Sequence, residues 1–134
     1  MSTAIRRLAH ATLAEFTVAT GQAATEGGLA TASAADGEVQ DGIGDDGIGI
    51  FRATAAAGAR VEVTLFGGVE VVTVGANGAT YGTKAIAVAG AFEDAPAHDS
   101  SGATDNAIYG IFMQSGVAGD KVGMMLTASN RGSA

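Results

Sequence analysis

Two copies of one pattern, 61 residues apart, constrain this chain more than any other feature in it. Gly49-Ile50-Phe51 returns as Gly110-Ile111-Phe112; at the same offset Ala57-Gly58 returns as Ala118-Gly119, Arg60 as Lys121, Val61 as Val122 and Leu65 as Leu126. Upstream the offset falls to 53, where Gly37-Glu38-Val39-Gln40-Asp41 corresponds to Gly90-Ala91-Phe92-Glu93-Asp94. The difference is taken up by a Pro-, Ser- and Gly-containing stretch, 95–103, with the composition of a surface loop. The pseudo-repeats therefore span about 35–67 and 88–128. Two copies are too few for a solenoid, which needs about three. They point to two pseudo-symmetric halves of one small barrel.

Within each copy the periodicity is that of strands. Val61-Glu62-Val63-Thr64-Leu65 alternates, which puts Val61, Val63 and Leu65 on one face. Gly67-Gly68 is a hairpin signal, and Val69 to Val74 reads as the antiparallel partner of the preceding strand. Asn77-Gly78 marks a further turn, and Lys84 to Ala89 a further strand. The Ala-rich run from Ala53 to Ala59 has high helix propensity, but it is short and closed by Gly58, and it sits between strand patterns. It reads as a tight connection. The fold class expected is all-β, a small Gly/Ala-rich barrel or sandwich with an internal pseudo-repeat.

At 134 residues the chain suits one domain, here 21–134, preceded by a segment at 1–20 of different character. Its 29 Ala and 21 Gly, with five Phe, two Tyr and no Trp, leave little bulky side chain for a core. Stability gained from a partner or a second copy is the expectation. Seven Lys and Arg against 14 Asp and Glu give a formal charge of −7, with no basic cluster beyond Arg6-Arg7. Nucleic acid and anionic membrane are poor partners for such a surface. Without Cys there is no disulfide and no thiol chemistry. The start lacks the continuous apolar stretch of a secretory leader, and no 18-residue apolar run is present.

The first segment reads as an extended arm, a short amphipathic helix or an edge strand. Ile5, Leu8, Leu13 and Phe16 fit one helical face, while Phe16-Thr17-Val18 has strand character. As an arm it has the means to add a strand to a partner's open sheet edge, with Ile5, Leu8, Leu13, Phe16 and Val18 finding apolar pockets.

Chemistry-bearing residues are sparse. Asp36, Asp41, Asp45 and Asp46, with Glu38 nearby, are the densest carboxylate group; their spacing is not that of a calcium-binding loop, and the Gly-rich context favours solvated turns. Asp94, Asp99 and Asp105 read the same way. His10 and His98 have no metal-ligand spacing, and Ser100, His98 and Asp99 are too close in sequence for a triad. Gly42-Ile43-Gly44 and Gly47-Ile48-Gly49 lack the flanking pattern of a nucleotide loop. No catalytic, cofactor or metal site is expected, and the chain does not read as an enzyme. Phe51 and Phe112 are expected in equivalent core positions. Met124 and Leu126 should face inward, leaving Met125, with Met113, as candidates for a protomer interface.

Ala35-Asp36-Gly37-Glu38-Val39, then Asp46-Gly47-Ile48-Gly49-Ile50-Phe51, the Ala-rich run, Gly58 and the Val61–Leu65 strand resemble the head decoration proteins of tailed bacteriophages. The second round runs through Gly90 to Asp94, Ile108-Tyr109-Gly110-Ile111-Phe112 and Ala118 to Val122, so the resemblance covers about 25–127. It implies a compact β-rich domain on the exterior of the virion capsid, made in the host cytoplasm. There it would bind the major capsid protein and stabilise the expanded lattice, as a homotrimer at local threefold positions. Arg6-Arg7 and the 95–103 loop depart from that pattern. The alternatives are a stand-alone barrel that binds a ligand such as a glycan, for which aromatic platforms are scarce, and another virion component such as a tail protein.

Overall fold

The computed structural model describes residues 12–42, 47–96 and 108–130, and among them every regular element is a strand. In chain order these are β1 (Thr12–Val18), β2 (Leu29–Ala32), β3 (Glu38–Asp41), β4 (Gly49–Phe51) and β5 (Arg60–Phe66). After them come β6 (Val69–Thr73), β7 (Lys84–Val88), β8 (Ala91–Asp94), β9 (Ile108–Phe112) and β10 (Lys121–Asn130). The first five form a closed barrel in the order β1-β3-β2-β4-β5, with β1 antiparallel to β5 and parallel to β3. The second five form a sheet in the order β6-β10-β9-β7-β8. A single parallel bridge between Val74 and Phe92 draws its edges together.

The two units have one topology. The pair Phe51↔Val63 recurs as Phe112↔Met124, Leu29↔Ile50 as Lys84↔Ile111, and Thr17↔Arg60 as Thr73↔Lys121. The isolated bridge Ala24↔Ala55 recurs as Ala79↔Gly116, and the parallel pair Val18↔Val39 as Val74↔Phe92. The duplication thus extends further upstream than the sequence pattern suggested, since β6 is the counterpart of β1. Each copy builds its own five-stranded unit, whereas the sequence suggested two halves of one barrel. Gly67-Gly68 is accordingly not a hairpin turn. Both glycines have positive φ, 82° and 66°, and they form the joint between the units, while β6 pairs with β10.

The repeated Gly-Ile-Phe motif has a steric basis. A Cβ on Gly49 would run into the carbonyl oxygen of Thr64, and one on Gly110 into that of Met125, so only glycine lets the adjacent strands approach this closely. The following Ile and Phe then point to opposite sides of the sheet. Phe51 and Phe112 are both fully buried, each at the centre of its own core cluster. Around Phe51 lie Val18, Ala24, Ala30, Val39, Val61 and Val63, and around Phe112 lie Val72, Phe92, Val122, Met124 and Leu126. Small residues lining both units let the barrel and the curled sheet pack around few aromatic rings.

The expected N-terminal arm is corrected over 12–18, where the chain is the barrel strand β1. The reason is the period. Phe16 and Val18 are two apart and therefore share a strand face; Val18 is buried and Phe16 packs against the first core. Leu13, of opposite parity, points away and is 40% exposed. Ile5 and Leu8 lie outside the described residues.

Candidate interaction surface

The units are joined by a wall-on-seam contact. In the first barrel the seam between β1 and β3 closes on itself, with the Thr17 amide donating to the Gly37 carbonyl at 2.9 Å. In the second unit the equivalent groups turn to the first barrel instead. The Thr73 amide donates to the Gly27 carbonyl at 3.0 Å, and the Gly90 carbonyl accepts from the Leu29 amide at 2.9 Å. The segment from Gly27 to Leu29 therefore occupies the seam between β6 and β8. Gly27, at a φ of 81°, allows this turn.

Side chains complete the lock. Leu13, Thr64, Ile50 and Leu29 are successive cross-strand neighbours on the outer face of the first barrel. Leu29 and Ile50 are nonetheless buried, because they belong to the core cluster of the second unit. The Thr64 hydroxyl donates to the buried Glu70 carboxylate at 2.7 Å, and Arg52 Nε faces the same carboxylate at 3.6 Å. Lys121 Nζ donates to the Glu26 carbonyl at 3.0 Å and to the Thr73 hydroxyl at 2.6 Å. The Gly47 amide donates to the Tyr109 hydroxyl at 2.8 Å, while the Tyr109 ring meets Phe92 edge-on at 5.8 Å. The two units thus share one continuous apolar and hydrogen-bonded interface.

Among the described residues, the same outer row on the second unit has no such cover. Val69, Met125, Ile111 and Lys84 are its cross-strand neighbours. Met125 is 38% exposed, Val69 and Ile111 are half-buried, and Lys84 is exposed. Beside this row, Tyr81 and Val117 stand in facing turns at 66% and 69% exposure.

Of the residues singled out from sequence, Met124 and Leu126 face the core and Met125 faces out, as strand alternation requires. Met113 is half-buried. Asp41 is an organiser of its turn, its two oxygens accepting from the Thr25 amide and hydroxyl, both at 2.8 Å. Asp94 does the same for Thr80, at 2.8 and 2.6 Å. This paired clamp was not recognised in the sequence, although Thr25-Glu26-Gly27 and Thr80-Tyr81-Gly82 carry its signal. Asp36 is exposed; Asp45, Asp46, Asp99, Asp105, His10, His98 and Ser100 lie outside the described residues. No group of three His, Asp or Glu side chains among the described residues is placed to hold a metal ion.

Clefts also mark this surface. One of about 320 Å³ lies between the units and is lined by Thr25, Leu29, Asp41, Thr73 and Gly90. Another, about 370 Å³, holds Glu15, Arg52, Arg60 and Glu62, whose charges pair among themselves: Arg60 with Glu15 at 2.7 Å and Arg52 with Glu62 at 3.6 Å.

No protein-family model matches the chain, and no curated protein matches it. Among solved structures, the N base of head fiber gp8.5 from bacteriophage phi29 has the same fold, with a TM-score of 0.62 at 15% identity. The match covers 91% of this chain and 100% of that one. Both five-stranded units therefore fall within the shared architecture.

Proposed function

We propose that this chain is a structural protein of a phage head. It binds the outer surface of the mature capsid as a homotrimer at local threefold positions and bridges neighbouring major capsid protein subunits. The observation that carries this reading is the fold held in common, over 91% of the chain, with the base of a phage head fiber. The resemblance of the repeated motifs to head decoration proteins supports it independently. The reading assigns the chain no catalytic step.

The physics of such a role is linkage. A protein that binds the expanded lattice better than the unexpanded one stabilises the expanded state by its differential affinity. Many equivalent sites on one shell multiply modest contacts into a large collective effect. The N-terminal segment, through Ile5, Leu8 and the exposed Leu13, extends the contact. Phe16 and Val18 are committed to the first barrel and take no part.

The test is co-sedimentation with heads lacking this protein, in expanded and unexpanded form. Saturable binding to expanded heads alone, at about three copies per local threefold, is the expected result. Binding to neither form would overturn the reading and favour a tail component or a ligand-binding module.

A further inference from the structure

The face that the first barrel buries against the second unit is repeated on the second unit, where Lys84 and Met125 are exposed and no described element packs over them as the second unit does over Leu29 and Ile50. Register makes the equivalence explicit: Leu29 corresponds to Lys84, Ile50 to Ile111 and Thr64 to Met125. The covering surface is duplicated too. Leu126 and Tyr109 of the second unit correspond to Leu65 and Ile48 of the first, which are only partly buried. Gly90 and Lys121 correspond to Gly37 and Arg60. Each chain therefore carries this contact once inside itself and, among the described residues, an uncovered equivalent of the buried face, while the equivalent of the covering seam is closed by Thr17 and Gly37 and offers side chains alone.

The substitutions between copies are matched across this contact. Inside the chain, Leu29 lines a cleft with the neutral hairpin Ala89-Gly90-Ala91. At the open end the leucine is replaced by Lys84, and the neutral hairpin by Asp36-Gly37-Glu38. An apolar pair becomes a pair of opposite charges. Lys84 and Asp36 are exposed, and none of Lys84, Asp36 and Glu38 has a side-chain ion pair among the described residues. Likewise Glu26, whose carbonyl is held by Lys121, is replaced by the exposed Tyr81, and Lys121 by Arg60, a cation suited to an aromatic face.

We infer that a second copy of this chain is the partner of the Lys84–Ile111–Met125 face, presenting its first barrel through Asp36, Glu38, Ile48 and Leu65. The contact is heterologous, because it joins the second unit of one copy to the first barrel of the next, so it repeats until a ring closes. Since the first barrel's seam is already closed by Thr17 and Gly37, the incoming copy docks on side chains without inserting a strand. This inference deepens the homotrimer of the proposed function and rests on it.

The test is sedimentation velocity of the purified full chain, free of capsids, from about 1 to 100 μM. The wild type should self-associate, and raised salt should weaken the association. Lys84→Glu should lower the association constant about tenfold or more, as should Asp36→Lys. Combining the two in one chain should restore it, since the swapped charges meet across the contact. Met125→Asp, at an exposed site, should dissociate the assembly while circular dichroism stays that of the wild type. A wild type that remains monomeric throughout, a Lys84→Glu variant that associates normally, or a folded double variant that stays dissociated would each overturn the inference. Capsid binding by the wild type is measured separately and stands or falls on its own.

Discussion

The first barrel and the second unit offer a controlled comparison, because strand order and register are held constant while the surroundings differ. Leu29 and Lys84 occupy the same register position, yet one is fully buried and the other exposed. Ile50 and Ile111 are the same residue type at the same position, and only the first is sealed. Burial at these positions is set by the neighbouring unit and not by the barrel that bears them. Where a neighbour covers the row inside the chain, Leu29 and Ile50 are apolar. At the open end Lys84, Tyr81 and Met125 stand where the first unit has Leu29, Glu26 and Thr64, and of this row Ile111 matches its counterpart Ile50.

The largest expected effect breaks that symmetry most cleanly. Leu29→Ala removes a buried side chain from the shared core and should cost about 2–5 kcal/mol in denaturant unfolding. Lys84→Ala, at the equivalent position, should stay within about 0.5 kcal/mol at concentrations where the chain is monomeric. Equal losses would mean that the two positions are not distinguished by cover. Next in size, Gly49→Ala and Gly110→Ala each force a Cβ against a neighbouring carbonyl and should cost about 1–3 kcal/mol apiece. Because the motif does the same work in both units, the two losses should agree in thermal melts. The smallest effect concerns the turn clamps. Asp41→Ala and Asp94→Ala each remove two partly exposed hydrogen bonds and should cost about 0.5–1.5 kcal/mol, again alike in the two units.

Much of this arrangement was legible in the sequence. Alternation placed β5, β7 and the inward and outward faces of Met124, Met125 and Leu126, and the offset of 61 paired Phe51 with Phe112. What escaped detection was carried by weaker signals. β1 and β6 are counterparts, but Phe16-Thr17-Val18 and Val72-Thr73-Val74 share only a small pattern that an Ala- and Val-rich chain readily obscures. Gly67-Gly68 supplies the conformational freedom of a hairpin, and sequence alone does not reveal that the following strand turns to β10 rather than back to β5. The shared interface was invisible for a different reason. Leu29 and Ile50 read as ordinary strand residues, and only the arrangement of both units in space shows what buries them.

Cryo-microscopy of expanded heads, after adding the purified chain to heads that lack it, tests the central claim most directly. Outward-lying density at the local threefold positions, fitted by three copies with six five-stranded units in a ring, is the expected result. Density confined to the tail, or bare local threefold positions at saturating concentration, would contradict it.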